Sequence, residues 1–404
     1  KSNVNLHLDF GTLLLGSTRL SDYDNAFPFK DGSMNQSSGL LFARGQKNIS
    51  ITGFGTIDGQ GGNKTFQFGN DADGGPKRPK IIYFVECKGI VVTDVTLRNS
   101  AYWVQHYEKC EDVTIRGLKV FSHCNYNNDG LDIDAKNATI SDCYIDVEDD
   151  AICFKSDHPE FCENITVTNC VTASNCNAIK FGTASHGGYR NIAVSNCVVR
   201  RAAEDNIRHW SKQLEHISAD VTVISGVAIE MVDGGIIDGI TVSNISMRDV
   251  QTPIFIRLGD RHRTYRKEGG VLKNINISNI VATAESLIAC SITGVETSYV
   301  ENVSINNVQI SYPGGGTSDM VSKPVPEMTK SYPENRMFGN TLPAAGFNNV
   351  RFDAMKPDVR PLFFLDDVVG AELNQCKGAA PADAKFIRTV HSSGIVADGK
   401  YLDK

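Results

Sequence analysis

The chain has 404 residues, of which 41% are hydrophobic, 22% charged and 8% aromatic, with a formal net charge of -7. It can build a sizeable core, as one elongated domain or two ordinary ones, and disordered or collagen-like classes are excluded. No apolar run approaches about 18 residues, so no membrane-spanning helix is expected; the acidic balance argues against a nucleic-acid-binding face, though local Lys and Arg could still bind an acidic polysaccharide. The 11 Cys are odd in number and include no C-x-x-C pair, so complete internal pairing and a zinc site are both unexpected. The sequence opens at Lys1 without a signal-like segment, directly in the strand pattern VNLHLDFGTLLL, and a processed or partial N-terminus is expected.

A short alternating unit then recurs in chain order. It reads ISITGF at 49–54, IVVTDV at 90–95, VTIRGL at 113–118, TISDCY at 139–144, ITVTNC at 165–170, IAVSNC at 192–197, ITVSNI at 240–245, INISNI at 275–280 and VSINNV at 303–308. Period-2 alternation predicts strands. The recurring Gly53, Asp94, Gly117, Asp142, Asn169, Asn196, Asn244, Asn279 and Asn307 predict a turn site that favours left-handed torsions. A coil of about 25 residues is too small for its own core, so coils must stack, each strand pairing with its copy about 4.8 Å above and below. The predicted fold is therefore all-β, a parallel β-helix (solenoid) forming one domain over 1–404. Its regular coils run over 1–311, and irregular loops, a last coil and a C-terminal cap fill 312–404. Cys143, Cys170 and Cys197, spaced by 27 residues, are predicted to stack as small buried side chains. The N-x-S/T sequons follow from the strand pattern and carry little information.

A second column carries acids. It reads DGLDI at 129–133, DAICF at 150–154, NAIKF at 177–181, GVAIE at 226–230 and PIFIR at 253–257. Steps of 21 and 27 residues are one coil each, so Asp129 should lie over Asp150, with Asp149 beside it. Crowded acids raise one another's pKa, which packing alone does not reward. A solvated acidic edge or a calcium site is the plain alternative. Inverting glycoside hydrolysis uses such a set, one protonated carboxyl serving the leaving oxygen while an ionised one activates water.

The opening SNVNLHLDFGTLLLGST, GFGTIDGQGG at 53–62, NNDGLD at 127–132, DDAICFKS at 149–156 and SHGGYRNI at 185–192 together resemble the polygalacturonase-like glycoside hydrolases, family 28, over nearly the whole chain. The resemblance implies a right-handed β-helix, inversion of configuration and no metal or other cofactor. It implies Asp149 as general acid, Asp129 and Asp150 as the pair that holds and deprotonates water, and Asn127 and Asp132 as residues that orient the first carboxylate. Two departures stand out. Asn177 occupies the place of the family's Gly-His-Gly, and Ala228-Ile229-Glu230 takes the place of its carboxylate-gripping Arg-Ile-Lys. Glu230 would repel a uronate there, so rhamnogalacturonan-type material is expected over plain polygalacturonate.

Replacement cations are available in Lys180, Arg257 and Arg261, a Glu230–Arg257 surface ion pair being the alternative. His186 and Tyr189 could line the cleft or simply pack a loop. Trp210, in an insertion over 202–219 with Arg208 and His209, could stack on a sugar or anchor the loop. The candidate binding set is thus Asn127, Asn177, Lys180, His186, Glu230, Arg257 and Arg261. The expected protein is a monomeric, secreted or periplasmic hydrolase of plant cell-wall-type polysaccharide or oligosaccharide. A polysaccharide lyase and a non-catalytic, tailspike-like carbohydrate-binding β-helix are the rivals.

Overall fold

The computed structural model of the chain describes residues 1–23, 38–66, 78–203, 223–259, 269–284, 290–294, 298–311, 362–379 and 387–402. Among these the helical pieces are two short 3-10 turns, Leu20–Asp22 and Lys64–Phe66. The rest of the regular structure is strand. All strand pairings are parallel except that of Val396–Ala397 with Lys400–Tyr401. No described helix is long and apolar enough to cross a membrane.

Alternation explains the stacking. One side-chain column runs Val4, Ile49, Ile90, Val113, Ala138, Ile165, Ile192, Ile240, Ile275, Val303, Ala371, each residue in register with the next. Apart from the terminal Val4, every member is buried, and the column belongs to a continuous apolar core along the coils. A one-residue slip would turn the whole set to solvent, so burial itself fixes the register. The result is a parallel β-helix, as the repeat predicted.

All nine turn residues read from the repeat have positive φ, from 52° at Asn307 to 111° at Gly53. Asn tolerates this backbone because its short amide finds local partners, and here the partners are the same amides one coil away. The Nδ2 of Asn164 donates to Asn137 Oδ1 at 3.1 Å, and Asn191 to Asn164 at 2.8 Å. A parallel ladder links Asn244 to Asn196, Asn279 to Asn244 and Asn307 to Asn279. Cys143, Cys170 and Cys197 stack as buried free thiols.

The acid-bearing column departs from expectation at one point. Leu131 pairs with Ile152 and Ile152 with Ile179, as read, but Lys180 then faces Ala228 and Phe181 faces Ile229. Glu230 therefore lies over Gly182 and not, as the aligned segments implied, over Phe181. The cause is the interior: Phe154, Phe181, Ile229 and Ile256 form a fully buried inward column, and the other register would drive a carboxylate into it. Gly182 permits the close approach, since a Cβ there would sit 2.7 Å from the Glu230 carbonyl oxygen.

The amide ladder makes a separable contribution to stability. Asn164→Ala loses the ladder bonds and strains a φ of 58°, whereas Asn164→Gly loses only the bonds. In equilibrium chemical denaturation the alanine variant should be destabilised by about 2 kcal/mol and the glycine variant by roughly half as much.

Candidate active site

The outward column next to the core runs Tyr83, His106, Asp132, Cys153, Lys180, Ala228, Phe255, Ser291. Asp129 and Asp150 flank it from neighbouring coils. The Gly130 N–H donates to the Asp150 carbonyl at 2.8 Å, which seats Asp129 over Asp150. Asp149 and Asp150 are adjacent, and their carboxylate oxygens approach within 4.8 Å. The three predicted acids thus converge, and all three are buried, at 3%, 5% and 2% exposure for Asp129, Asp149 and Asp150.

Their partners differ. Asp150 has both oxygens engaged: Asn177 Nδ2 donates to Oδ1 at 2.6 Å, and Lys180 Nζ to Oδ2 at 3.0 Å. Asp149 Oδ1 accepts from the Asp150 N–H at 3.0 Å, and its Oδ2 is 3.5 Å from Asn127 Nδ2. Asp129 Oδ2 accepts from Lys155 Nζ at 3.3 Å, while its Oδ1, also buried, has no hydrogen-bond partner among the described residues. The same ammonium lies 3.3 Å from Asp132 Oδ1.

These surroundings separate the acids electrostatically. Burial, with like charge from Asp132 and Asp149, pushes Asp129 well above the usual carboxylate range, against the pull of Lys155. Burial lifts Asp132 to about 6, opposed by Lys155 and Lys80. For Asp150 burial also acts upward, yet Lys180, Lys155 and the Asn177 hydrogen bond bring it below the ordinary value. The lysines respond in kind. Burial opposes their charge, but Asp150 and Glu230 hold Lys180 well above normal, and Cys153, Asp132 and Asp129 do the same for Lys155.

The remaining binding candidates scatter. Lys180, expected to meet substrate, is instead ion-paired with Asp150, and Asn177 clamps the same carboxylate. Glu230 and Arg257 are in register and buried, not on the surface, and Arg257 donates to Thr293 Oγ1 at 2.9 Å. His186 is buried, its Nδ1 3.2 Å from the Asp157 carbonyl oxygen. Tyr189 does not line the cleft; it is fully buried and donates to the Phe154 carbonyl at 3.1 Å. Arg208, His209, Trp210 and Arg261 lie outside the described residues.

Several site residues escaped the sequence reading. Arg78 donates to Asn127 Oδ1 at 3.2 Å, which leaves the amide nitrogen of Asn127 toward Asp149, and its guanidinium lies 4.7 Å from the Tyr102 ring centroid. Lys80 and Lys155 each lie 4.5 Å from the ring centroid of Trp103. Lys80 also meets His106 Nδ1 at 2.9 Å, and burial draws it down to about 8 against Glu108 and Asp132. Lys155 stood in the quoted DDAICFKS motif, but no local pattern announced its partners on the preceding coil.

Two triads have metal-ligand spacing here, Asp129/Asp132/Cys153 and Asp149/Asp150/Cys176. A lysine ammonium already occupies each, Lys155 between Asp129 and Asp132 and Lys180 on Asp150, where a metal cation would otherwise sit. Asp366, Asp367 and His391 form a third, more exposed group.

The Lys180–Asp150 pair ties stability to pH. A depressed Asp150 stabilises the fold above the ordinary carboxylate pKa and stops doing so as pH falls through its folded value; a raised Lys180 stabilises below the ordinary lysine pKa and stops as pH rises through its folded value. The pair is complete across neutrality. Lys180→Met should therefore destabilise by about 3–5 kcal/mol near pH 7 in denaturant titrations, the deficit shrinking in acid as Asp150 protonates. Adding Asp150→Asn should recover much of the loss.

With this geometry in place, comparison with known proteins becomes specific. The family model for glycosyl hydrolases family 28 matches residues 27–330. A probable polygalacturonase of Vitis vinifera is 30% identical over 172 residues, covering 40% of this chain and 34% of that protein. An exopolygalacturonase of Thermotoga maritima superposes with a TM-score of 0.62 at 22% identity, covering 77% of this chain and 76% of that one. A family 28 exopolygalacturonase of Yersinia enterocolitica gives 0.70 at 16% identity, with 100% and 70% covered. These two superpositions show a shared fold. The chain spans only 34% and 41% of the lengths of two curated relatives it matches. The family match extends over well more than half of the 404 residues: the chain belongs to glycosyl hydrolases family 28.

Proposed function

We propose that this chain is an inverting hydrolase of α-glycosidic bonds in pectic polysaccharide or oligosaccharide. The observation that carries the reading is the buried trio Asp129, Asp149 and Asp150, three acids with three different sets of hydrogen-bond partners. In the proposed cycle Asp149 gives its proton to the leaving glycosidic oxygen as the C–O bond breaks. Asp129, through its unpartnered Oδ1, takes a proton from the water that attacks the opposite face of the sugar. A carboxylate whose pKa is raised is a stronger base once ionised, which suits Asp129 to this role. Asp150, saturated by Asn177 and Lys180, supplies fixed negative charge beside the developing positive charge of the sugar ring. Asn127, held by Arg78, orients Asp149.

Rhamnogalacturonan-type material fits this site better than plain polygalacturonate. Lys155 and Lys180 are ion-paired with site acids, so these two cations are already matched by internal partners, and Arg257, in register with Glu230, donates to Thr293. The polygalacturonase names of the relatives support a galacturonate-containing polymer. The reading extends to a single-domain, monomeric, right-handed β-helix over 1–404, capped beyond residue 311, in a secreted or periplasmic enzyme.

A lyase on this fold would place calcium on its acids, where this site carries lysines. A non-catalytic carbohydrate binder would have no use for the trio. The test is reducing-sugar release from a panel of defined pectic oligosaccharides, with product anomers followed by proton NMR. The inverted anomer should appear first, with no ultraviolet-absorbing unsaturated product and no loss with chelator. Asp149→Asn should lower the rate by about a thousandfold or more while leaving the fold intact. Near-full turnover by that variant, or an unsaturated product, would overturn the reading.

A further inference from the structure

Lys155 is a charged group of the acid cluster that the proposed reaction does not use. Its ammonium is buried, at 7% exposure, and lies 3.3 Å from both Asp129 Oδ2 and Asp132 Oδ1. It also rests 4.5 Å from the ring centroid of Trp103, a geometry suited to cation–π attraction. Asp129 and Asp132 are three residues apart, yet they share this one cation, which comes from the following coil. The contact leaves a single oxygen of Asp129, Oδ1, without a hydrogen-bond partner among the described residues.

We propose that Lys155 is a positioning residue of the hydrolytic reaction: its ammonium ties Asp129 to Asp132 through one oxygen of each, leaves Asp129 Oδ1 as the proton acceptor, and biases Asp129 toward its ionised form. This rests on the reading of Asp129 as the base. The groups facing Lys155 come from every neighbouring element. Asp129 and Asp132 lie on the coil before, Asp150 and Cys153 on its own coil, Tyr189 on the coil after, and Lys80, Tyr102 and His106 further toward the N-terminus. Lys80 is the opposing like charge, and burial lowers it, while Cys153 and the acids hold Lys155 charged. The two amines around one indole are thus unequal, and Lys155 is the one that stays cationic beside the acids.

The experiment compares the pH dependence of kcat/KM in wild type, Lys155→Met, Lys155→Arg and Asp132→Asn. Removing the positive charge raises the pKa of Asp129, so the acidic limb of the methionine variant should move up by about one pH unit or more. Its kcat below that limb should fall about tenfold or more with KM nearly unchanged. Lys155→Arg should restore the limb, and Asp132→Asn, which removes a like charge, should move it down. A residue that only supports the fold would shift thermal stability and leave the limb in place. An unmoved limb in Lys155→Met, or in Asp132→Asn if the first variant does not fold, overturns the proposal. So does an arginine variant that behaves like methionine. If wild type releases no sugar, it is the hydrolase reading that fails, and infrared titration then decides Lys155. The protonated-carboxyl band that Asp129→Asn removes should have its midpoint at higher pH in Lys155→Met than in wild type; equal midpoints overturn the proposal.

Discussion

Parallel strands stacked in register bring every side chain to about 4.8 Å from its copy one coil away, and that spacing governs all three side-chain populations of this molecule. For Ile, Val and Leu it creates continuous apolar columns that exclude water along the coils. For the turn asparagines it sets amide against amide, so that a backbone torsion disfavoured in isolation comes with a hydrogen bond at each step. For charged residues the same spacing is a hazard, because identical charges would repel at every coil. The outward column answers with variety, running tyrosine, histidine, aspartate, cysteine, lysine and alanine over six successive coils.

That variety makes a buried acid cluster tolerable. Isolated buried carboxylates would simply take up protons. Here lysines from the next coil meet them, Lys155 reaching back to Asp129 and Asp132, and Lys180 reaching back to Asp150. The compensation is uneven. Asp150 receives an ammonium and an amide on separate oxygens, while Asp129 shares its ammonium with Asp132 and keeps one oxygen without a hydrogen-bond partner among the described residues. The same feature that stabilises the stack therefore sorts the acids into one held as an anion and one driven toward protonation. In the proposed cycle Asp150 keeps a fixed charge, while Asp129, less fully compensated and so the stronger base once ionised, is the carboxylate that takes the proton from water.

Much of this was legible in the sequence because it is periodic. The strand units, their nine left-handed turn residues and the stacking of Asp129 over Asp150 all follow from spacing alone. Legibility ended where the spacing breaks. Between Lys180 and Ala228 the chain carries the long insertion around Trp210, and across it the alignment slipped by one residue until the buried Phe181–Ile229 contact corrected it. Partners separated by whole coils were also invisible. Arg78 reaches Asn127 across 49 positions, and Lys155 reaches Asp129 across 26. Tyr189 was ambiguous for another reason, since a tyrosine after a glycine pair suits a cleft rim as well as a wall packed beneath a strand.

The one-residue correction bears directly on the choice of substrate. In the register first read, Glu230 would have stood over Phe181, against the face of the core. In the register observed it stands over Gly182, on the outward side and near Lys180, where its charge adds to that of Asp150 in holding the lysine cationic. One coil further, Arg257 lies in register with Glu230. Acid and base thus alternate through Asp150, Lys180, Glu230 and Arg257, with Lys180 ion-paired to Asp150 and Arg257 hydrogen-bonded to Thr293. A subsite that grips a uronate needs positive charge in excess, with guanidinium or ammonium donors directed at the sugar. Lys155 and Lys180, engaged with site acids, supply none, whereas a neutral sugar beside Glu230 meets no repulsion from its charge. The proposed preference for a polymer that interleaves neutral residues with uronates therefore follows from how Lys155 and Lys180 are engaged and from where Glu230 stands, not from how many cations there are.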